Sequence, residues 1–344
     1  MAAVAASKKL GKQTIAFVNP PVIIGNASVA GPKEGQGPLG KRFDVVLKDS
    51  LDGEQTFEKA ERKMLKKSCE MAIKYAGLTS QDMDFMMAGD LLNQIISANF
   101  TARDLGVPFI GLYGACSTMF EGLALGSMLI DGGYANNVLA AASSHYNTAE
   151  RQYRFPTEMG VQRPLTAQWT VSGAGAVVLT SQGKGPAVTH ATIGKVIDLG
   201  ITDPNDMGSA MAPAAADTII SHFKDTGRVP SDYDLIITGD LASIGRALTE
   251  QLVKQAGYDI SKNYTDCGIL IFDPAQDTHA GGSGCGCSAV VLTGFLLKEI
   301  MAGKYKRILG IGTGALLSPT SSLQGESIPG VAHAVVIDAY RLGG

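Results

Sequence analysis

The chain contains an internal repeat, in which two distant segments carry the same residues at the same spacing. Residues 80–91 read SQDMDFMMAGDL and residues 231–241 read SDYDLIITGDL, so that Asp90 in the first segment matches Asp240 in the second. Repeats that build solenoids are about 20–50 residues long, and this one is much longer. The pattern therefore predicts a duplicated half-domain instead of an array of small units.

A second pair of segments supports the duplication. CSTMFEGLALGSMLIDGGY begins at Cys116 and CSAVVLTGFLLKEIMAGKY begins at Cys287. The predicted halves cover residues 14–182 and 187–340. Ligand sites are common at interfaces between such units, so we expect the cleft between the halves to hold one.

Composition excludes several classes of function. Charged residues make up 18% of the 344 positions and the formal net charge is −3. Without a stripe of Lys and Arg, binding to nucleic acid is not expected. Five cysteines, an odd number, predict reduced thiols in a cytosolic type of environment. Because the pair Cys285/Cys287 lacks a second pair at metal spacing, no metal site is predicted.

The chain is predicted to be soluble. Its N-terminal stretch MAAVAASKKLGKQT lacks the apolar core of a secretory signal. No window approaches the roughly 18 apolar residues of a membrane span. Any work at a membrane would be done from its surface.

Strand and helix patterns alternate along the chain, which predicts mixed sheets covered by helices on both faces. Predicted strands cover residues 84–89, 108–112, 137–142, 172–180, 187–193, 234–238, 307–311 and 332–338. Predicted helices cover residues 54–76, 91–105, 116–130, 213–223, 243–256 and 287–301. Residues 25–40 are predicted to form an extended loop after a strand, and residues 150–170 a long excursion from the core.

Several motifs carry a family resemblance over essentially the whole chain. GACST at Cys116, SGAGAVVL at 172–179 and GTGALLSP at 312–319 resemble the thiolase-like superfamily, which includes thiolases and ketoacyl-ACP synthases. The motifs GPLGKRFD, AGDLLNQIISANF, FPTEMGVQRPLTAQWTV, TIGKVIDLGITDPNDMG and AGGSGCGCSAVV more closely resemble the stage V sporulation protein AD family of endospore-forming bacteria. The resemblance implies an α/β fold with five αβαβα layers, built from two pseudo-symmetric half-domains.

The same resemblance implies a function. The family is taken to bind dipicolinate (pyridine-2,6-dicarboxylate) and to help load it into the developing spore. The implied partners are integral-membrane proteins of a sporulation channel complex, with the chain associated peripherally with the forespore membrane. The superfamily is commonly dimeric, so a homodimer is a further expectation.

Cys116 lies where a helix begins, and the positive end of a helix lowers the pKa of a thiol. Acyl condensation also needs a His for proton transfer and a His or Asn that polarises a thioester. Where the synthases have that His, this chain has Asp240, and where they have G-N-T-S it has residues 282–285, reading GSGC. An Asp beside a thiol opposes thiolate formation. Residues 312–319 contain no cysteine, which also excludes the thiolase arrangement.

Dipicolinate is a flat dianion, and helix N-termini and glycine turns bind anions. The predicted donors are helices starting at Cys116 and Cys287 and a loop at Gly312–Gly314. Asp90 and Asp240 follow paired strands, where α/β folds place their sites. Each of these aspartates has two possible roles: it caps a helix, or it contacts the ligand. Contact with a dianion would require the Asp to be protonated, to pair with a cation or to share a bound Ca²⁺ with the ligand.

The predicted ligand-binding residues are Cys116, Asp90, Asp240, Asn93, Ser144, His145, Ser283, Gly284, Cys285, Gly312 and Thr313. Lys195, Arg151, Arg154 and Arg163 are the candidate cations. No resident cofactor is expected, and Ca²⁺ would enter only with the ligand.

Three hypotheses follow. The first is a non-catalytic binding protein for dipicolinate, either free or as the Ca²⁺ chelate. The second is a condensing enzyme or acyltransferase that depends on Cys116. The third is a structural adaptor of a membrane complex.

Overall fold

The computed structural model describes residues 8–153 and 163–339. Its strands are β1 (Lys9–Leu10), β2 (Thr14–Ala16), β3 (Val22–Ala30), β4 (Val45–Val46), β5 (Phe85–Gly89), β6 (Phe109–Gly111), β7 (Asn137–Ser144), β8 (Trp169–Thr170), β9 (Gly173–Thr180), β10 (Ala187–Ile193), β11 (Leu235–Thr238), β12 (Tyr264–Asp266), β13 (Gly282–Ser283), β14 (Arg307–Ala315) and β15 (Gly330–Asp338). Its helices are α1 (Pro32–Gly35), α2 (Phe57–Tyr75), α3 (Ile96–Leu105), α4 (Thr118–Asp131), α5 (Tyr146–Tyr153), α6 (Met207–Thr226), α7 (Ala242–Gln255), α8 (Cys267–Ile271), α9 (Cys285–Val291), α10 (Leu297–Met301) and α11 (Pro319–Leu323). A π-helical turn, Leu292–Leu296, joins α9 to α10.

The strands repeat one arrangement in the two halves of the chain. In the first half the order is β3-β9-β7-β5-β6, and in the second it is β10-β15-β14-β11-β12. In each sheet the last three strands of the order are parallel to one another, and the first two join antiparallel. The sheets meet at one bridge, between Val22 and Ala187. Mixed sheets and the internal symmetry are as the sequence predicts.

Helices complete the five layers. α2 and α3 pack on the outer face of the first sheet, α6 and α7 pack on that of the second, and α4 and α9 lie between the sheets. The two central helices contact protein on all sides, since side chains such as Phe120, Leu123 and Val290 are fully buried. Gly175 allows β9 to approach α9 closely, because a Cβ there would lie 2.4 Å from the carbonyl oxygen of Ala289.

Three predicted boundaries are wrong. Residues 25–30 continue strand β3, because the segment pairs with β9 along its whole length despite its Gly and Asn. Helix α3 begins at Ile96, after a turn in which Gln94 and Ile95 have positive φ. Residues Gly312–Gly314 are not a loop: they lie in β14 and pair with β15 up to Ala315.

The two helix starts near the predicted site also differ from prediction. Cys116 lies in a 3₁₀ turn, Ala115–Ser117, that precedes α4. Helix α9 begins at Cys285, two residues earlier than predicted. Both turns nevertheless lie next to each other, because the Cys285 thiol donates a hydrogen bond to the Ala115 carbonyl oxygen at 2.9 Å.

Candidate functional site

The central site is built around the thiol of Cys116. The preceding residue, Ala115, has a φ of 50°, a left-handed conformation that is uncommon for a residue with a side chain. This turn places Cys116 at the start of a central helix with its side chain only 6% exposed. Strained turns of this kind are frequent at functional sites.

Asp240 is the hydrogen-bonding centre of the site. Its carboxylate accepts hydrogen bonds from the Thr313 hydroxyl at 2.7 Å, from the Gly284 amide at 2.9 Å and from the Ser283 hydroxyl at 3.2 Å. The Cys116 thiol lies near the same carboxylate, which acts on it electrostatically. Five predicted site residues therefore meet at this carboxylate, which is fully buried.

The environment of Cys116 disfavours a thiolate. Burial raises the pKa of the thiol well above its usual value, and the Asp240 carboxylate raises it further by like-charge repulsion. Since the thiolate is the nucleophilic form, a thiol held in this way is a poor nucleophile at neutral pH.

Asp90 caps a helix, whereas Asp240 lies beside Cys116. Its carboxylate accepts hydrogen bonds from the amides of Leu92 and Ala98, both at 2.8 Å, and Ala98 lies in the first turn of α3. Burial raises the pKa of Asp90 to about 7 even so. Of the two alternatives predicted for these aspartates, Asp90 has the helix cap, and the two matched carboxylates have different hydrogen-bond partners.

Asp266 takes the capping role in the second half, and sequence reasoning missed it. Its carboxylate accepts hydrogen bonds from the amides of Leu241 and Ala242 at 2.9 and 2.8 Å, where α7 begins. It also accepts one from the Gly268 amide at 2.8 Å. Burial raises its pKa to about 7, with a smaller contribution from Asp240. The signal in the sequence was an Asp two residues before a Gly, and this Asp is the last residue of β12.

Buried carboxyl groups are a general feature of this region. Glu61, fully buried, accepts hydrogen bonds from Ser143 and Thr148 at 3.0 and 2.9 Å. Its pKa is raised well above the usual value by burial and by Asp90. Among the described residues, no group of three or more His, Cys, Asp or Glu side chains could hold a metal ion.

The other predicted ligand residues divide into buried structural groups and one exposed group. The Ser144 hydroxyl donates to the Val171 carbonyl at 2.7 Å and accepts from the Gly286 amide at 2.9 Å. His145 lies 2.8 Å from the Ser50 carbonyl through Nε2 and accepts the Asn147 amide through Nδ1. Asn93 is exposed.

The N–H groups that were expected to receive an anion already have partners. At the start of α9, the Gly284 amide donates to Asp240 and the Gly286 amide donates to Ser144. Gly312 approaches the turn at Cys116 so closely that a Cβ would lie 2.7 Å from the Ser117 carbonyl oxygen. A dianion that entered the centre would therefore meet buried carboxyl groups and few unpaired N–H donors.

The candidate cations lie elsewhere. Lys195 is on the surface, 3.6 Å from the Asp217 carboxylate. Arg151 and Arg154 fall outside the residues whose side chains are described. Arg163 lies over the ring of Trp169, with its Cζ 4.9 Å from the ring centroid. Lys33, which sequence reasoning missed, lies over the same ring, with Nζ at 4.1 Å.

Comparison with solved structures shows which class of fold this is. An OleA variant from Xanthomonas campestris matches with a TM-score of 0.62 and 16% identity over 94% of this chain and 97% of that one. The 3-oxoacyl-[acyl-carrier-protein] synthase III from Aquifex aeolicus matches with a TM-score of 0.57 and 15% identity over 92% and 99%. Human mitochondrial 3-ketoacyl-CoA thiolase, solved with CoA, matches with a TM-score of 0.55 and 14% identity over 94% and 99%. The fold is that of the thiolase-like proteins.

The family is narrower than the fold. The family model described as stage V sporulation protein AD matches residues 11–338. Stage V sporulation protein AD of Bacillus subtilis (strain 168) is 50% identical over 337 residues, which are 98% of this chain and 99% of that protein. The chain belongs to the stage V sporulation protein AD family, whose members are sporulation proteins with a thiolase-like fold.

Proposed function

We propose that this protein binds dipicolinate during spore formation and does not catalyse acyl transfer. The identity of the ligand is inferred from the family resemblance, and the absence of catalysis is inferred from the geometry of the site. In this proposal the thiolase scaffold is kept as a ligand-binding body.

The observation that carries the proposal is the Asp240–Cys116 contact. The resemblance places Asp240 where the synthases have a proton-transferring His, and the Asp240 carboxylate lies close enough to the thiol to raise its pKa. A carboxylate in that place raises the thiol pKa, whereas a condensing enzyme needs it lowered. The hydrogen bonds from Thr313, Ser283 and Gly284 fix the carboxylate there. The arrangement disfavours nucleophilic catalysis, and the family resemblance supplies the binding function.

The proposal includes the cellular setting that the resemblance implies. No helix among the described residues is long and apolar enough to cross a membrane. Integral-membrane proteins of the same sporulation complex would therefore bring this chain to the forespore membrane, where it would associate peripherally. Ca²⁺ would enter with the ligand as its chelate, and a homodimer is the proposed assembly.

Isothermal titration of the purified full-length protein with dipicolinate, with and without Ca²⁺, tests the proposal. Pyridine-2,6-dicarboxamide, which has the same ring without the charges, serves as the matched control ligand. Saturable binding of dipicolinate and none of the diamide supports the proposal. An absence of dipicolinate binding in both conditions would overturn it.

A second measurement tests the claim that the thiol does no chemistry. Intact-mass spectrometry after incubation with acetyl-CoA should find the protein unmodified, because the thiol is protonated at neutral pH. A stable acetyl adduct on wild type that is lost in Cys116→Ala would favour the acyltransferase hypothesis instead.

A further inference from the structure

A cleft of about 240 Å³ opens beside the central site. It lies between the segment that contains α1, the start of α5 and strand β8. Its lining residues are Pro32, Lys33, Glu34, Gln36, Ser50, Tyr146, Asn147, Trp169 and Ser172. Pockets for drug-sized ligands span about 300–1,000 Å³, so a cleft of this size suits a molecule with a single ring.

One wall of the cleft is aromatic. The rings of Tyr146 and Trp169 are stacked, with centroids 3.9 Å apart and planes inclined by 11°. Because Tyr146 covers one face of the indole, the cations of Lys33 and Arg163 approach the other face. The stacked pair and the two cations stabilise one another, because a cation over an aromatic ring is attracted to its face.

The cleft has positive charge to offer. Burial and the positive charge of the neighbouring Arg163 lower the pKa of Lys33. The two cations repel each other, and a bound anion would reduce that repulsion. The side chain of Arg163 is only 10% exposed, and its Nη1 has no hydrogen-bond partner among the described residues. Its Nη2 is bonded to the carbonyl and carboxylate of Asp277.

The carboxyl group in the cleft cancels only part of this charge near neutral pH. Burial raises the pKa of Glu34 to about 7. One of its oxygens accepts a hydrogen bond from the Ser172 amide at 2.9 Å. Near neutral pH Glu34 is therefore partly protonated, and the protonated form can donate a hydrogen bond to a carboxylate.

The cleft is connected to the Cys116 centre through a short sheet. Strands β8 and β13 are parallel, with Trp169 opposite Gly282 and Thr170 opposite Ser283. Ser283 contacts Asp240, so the aromatic wall lies one strand pair away from the buried carboxylate. The cleft occupies the same edge of the fold as the centre but offers cations where the centre offers carboxyl groups.

We propose that the Lys33–Trp169 cleft is the binding site for the planar aromatic dicarboxylate, an inference that rests on the proposed function. The ring lies beside the edge of the stacked Tyr146–Trp169 pair, because both faces of the indole are already covered. One carboxylate pairs with Lys33, and the positive potential of Arg163 adds to the attraction. The hydroxyl and amide groups of Ser50, Asn147 and Ser172 line the remainder of the cleft.

The chain carries its own reporter for this site, because Trp169 is its only tryptophan. Dipicolinate is titrated into full-length wild type while intrinsic fluorescence is recorded, with N-acetyltryptophanamide as the inner-filter control. The same titration is run by calorimetry on wild type, Lys33→Gln and Arg163→Gln. Lys195→Gln, which removes an exposed cation elsewhere, is the charge-matched control, and circular dichroism verifies that each variant folds.

In wild type, we expect the fluorescence change to saturate at the dissociation constant measured by calorimetry. Lys33→Gln should weaken binding by about tenfold or more, the loss expected for one charge-assisted contact, and Lys195→Gln should leave binding unchanged. Calorimetric binding with no change at Trp169 and full affinity in Lys33→Gln would overturn the location while leaving the proposed function intact. No binding by wild type would overturn both.

Discussion

Replacing Asp240 by Asn tests whether the buried carboxylate suppresses the reactivity of Cys116. The thiol titrates at a pH where Asp240 is ionised, and the carboxylate then opposes a second negative charge beside it. The Asn side chain has nearly the same shape but no charge. We expect the apparent pKa of Cys116 to fall by about one unit or more in Asp240→Asn.

The cost in stability follows from the hydrogen bonds. One Asn oxygen can still accept from Gly284 and Ser283, whereas the amide end faces Thr313, whose hydroxyl can turn to accept. The substitution should lower the free energy of unfolding by about 1–2 kcal/mol, since a typical net hydrogen bond contributes about 1 kcal/mol. Asp240→Ala leaves all the donors unpaired and should cost more than about 4 kcal/mol, at about 1–3 kcal/mol per group.

The assay is the rate of iodoacetamide alkylation as a function of pH, with the Cys116 peptide quantified by mass spectrometry. Asp259→Asn removes an exposed carboxylate that accepts hydrogen bonds from the amide and hydroxyl of Ser261 at 3.1 and 2.7 Å, so it serves as the charge control. Urea unfolding supplies the stability difference. An apparent pKa of Cys116 in Asp240→Asn that equals or exceeds the wild-type value would refute the reasoning.

Three further predictions concern stability and binding. Burial raises the pKa of Asp266 in the folded protein to about 7, so its contribution to stability is present at low pH and is lost as pH rises from about 4 to 7. In Asp266→Asn, the urea midpoint of unfolding should therefore change less with pH across that window. A pH dependence equal to that of wild type would contradict this. Gly175→Ala should destabilise the protein by at least about 2 kcal/mol because its Cβ would meet Ala289, whereas Gly122→Ala, with ordinary contacts at 3.4 Å or more, should change stability by about 1 kcal/mol or less in thermal unfolding. Dipicolinate binding should weaken as pH rises through about 7, because Glu34 then becomes charged beside Lys33, Arg163 and Asp277. Calorimetry on Glu34→Gln should show binding that no longer depends on pH in this range.

The sequence contained enough to predict the main architecture and one key contact. Matching residues at Asp90 and Asp240 predicted a duplicated half, and the two sheets have the same order of strands. The position of Asp240 after β11 and of Cys116 before α4 placed both at the same edge of the fold. Because β11 and β6 belong to different sheets, that proximity was implied by the family resemblance and not by the strand pattern alone.

Other features depended on tertiary contacts that no local pattern records. The glycines at 312–314 read as a loop but extend β14, because β15 supplies a partner strand. Asp90 and Asp240 match in sequence, yet the amides that surround each differ. Lys33 and Trp169 come together only through the folding of distant segments, so neither was singled out.

The measurement that tests the central claim most directly is a crystal structure of the full-length protein with dipicolinate. The account predicts the ring beside Trp169, a carboxylate within hydrogen-bonding distance of Lys33 Nζ, and an unmodified thiol at Cys116. A ring bound at the Asp240–Cys116 centre would contradict the location, and crystals that take up no dipicolinate at saturating concentration would contradict the function.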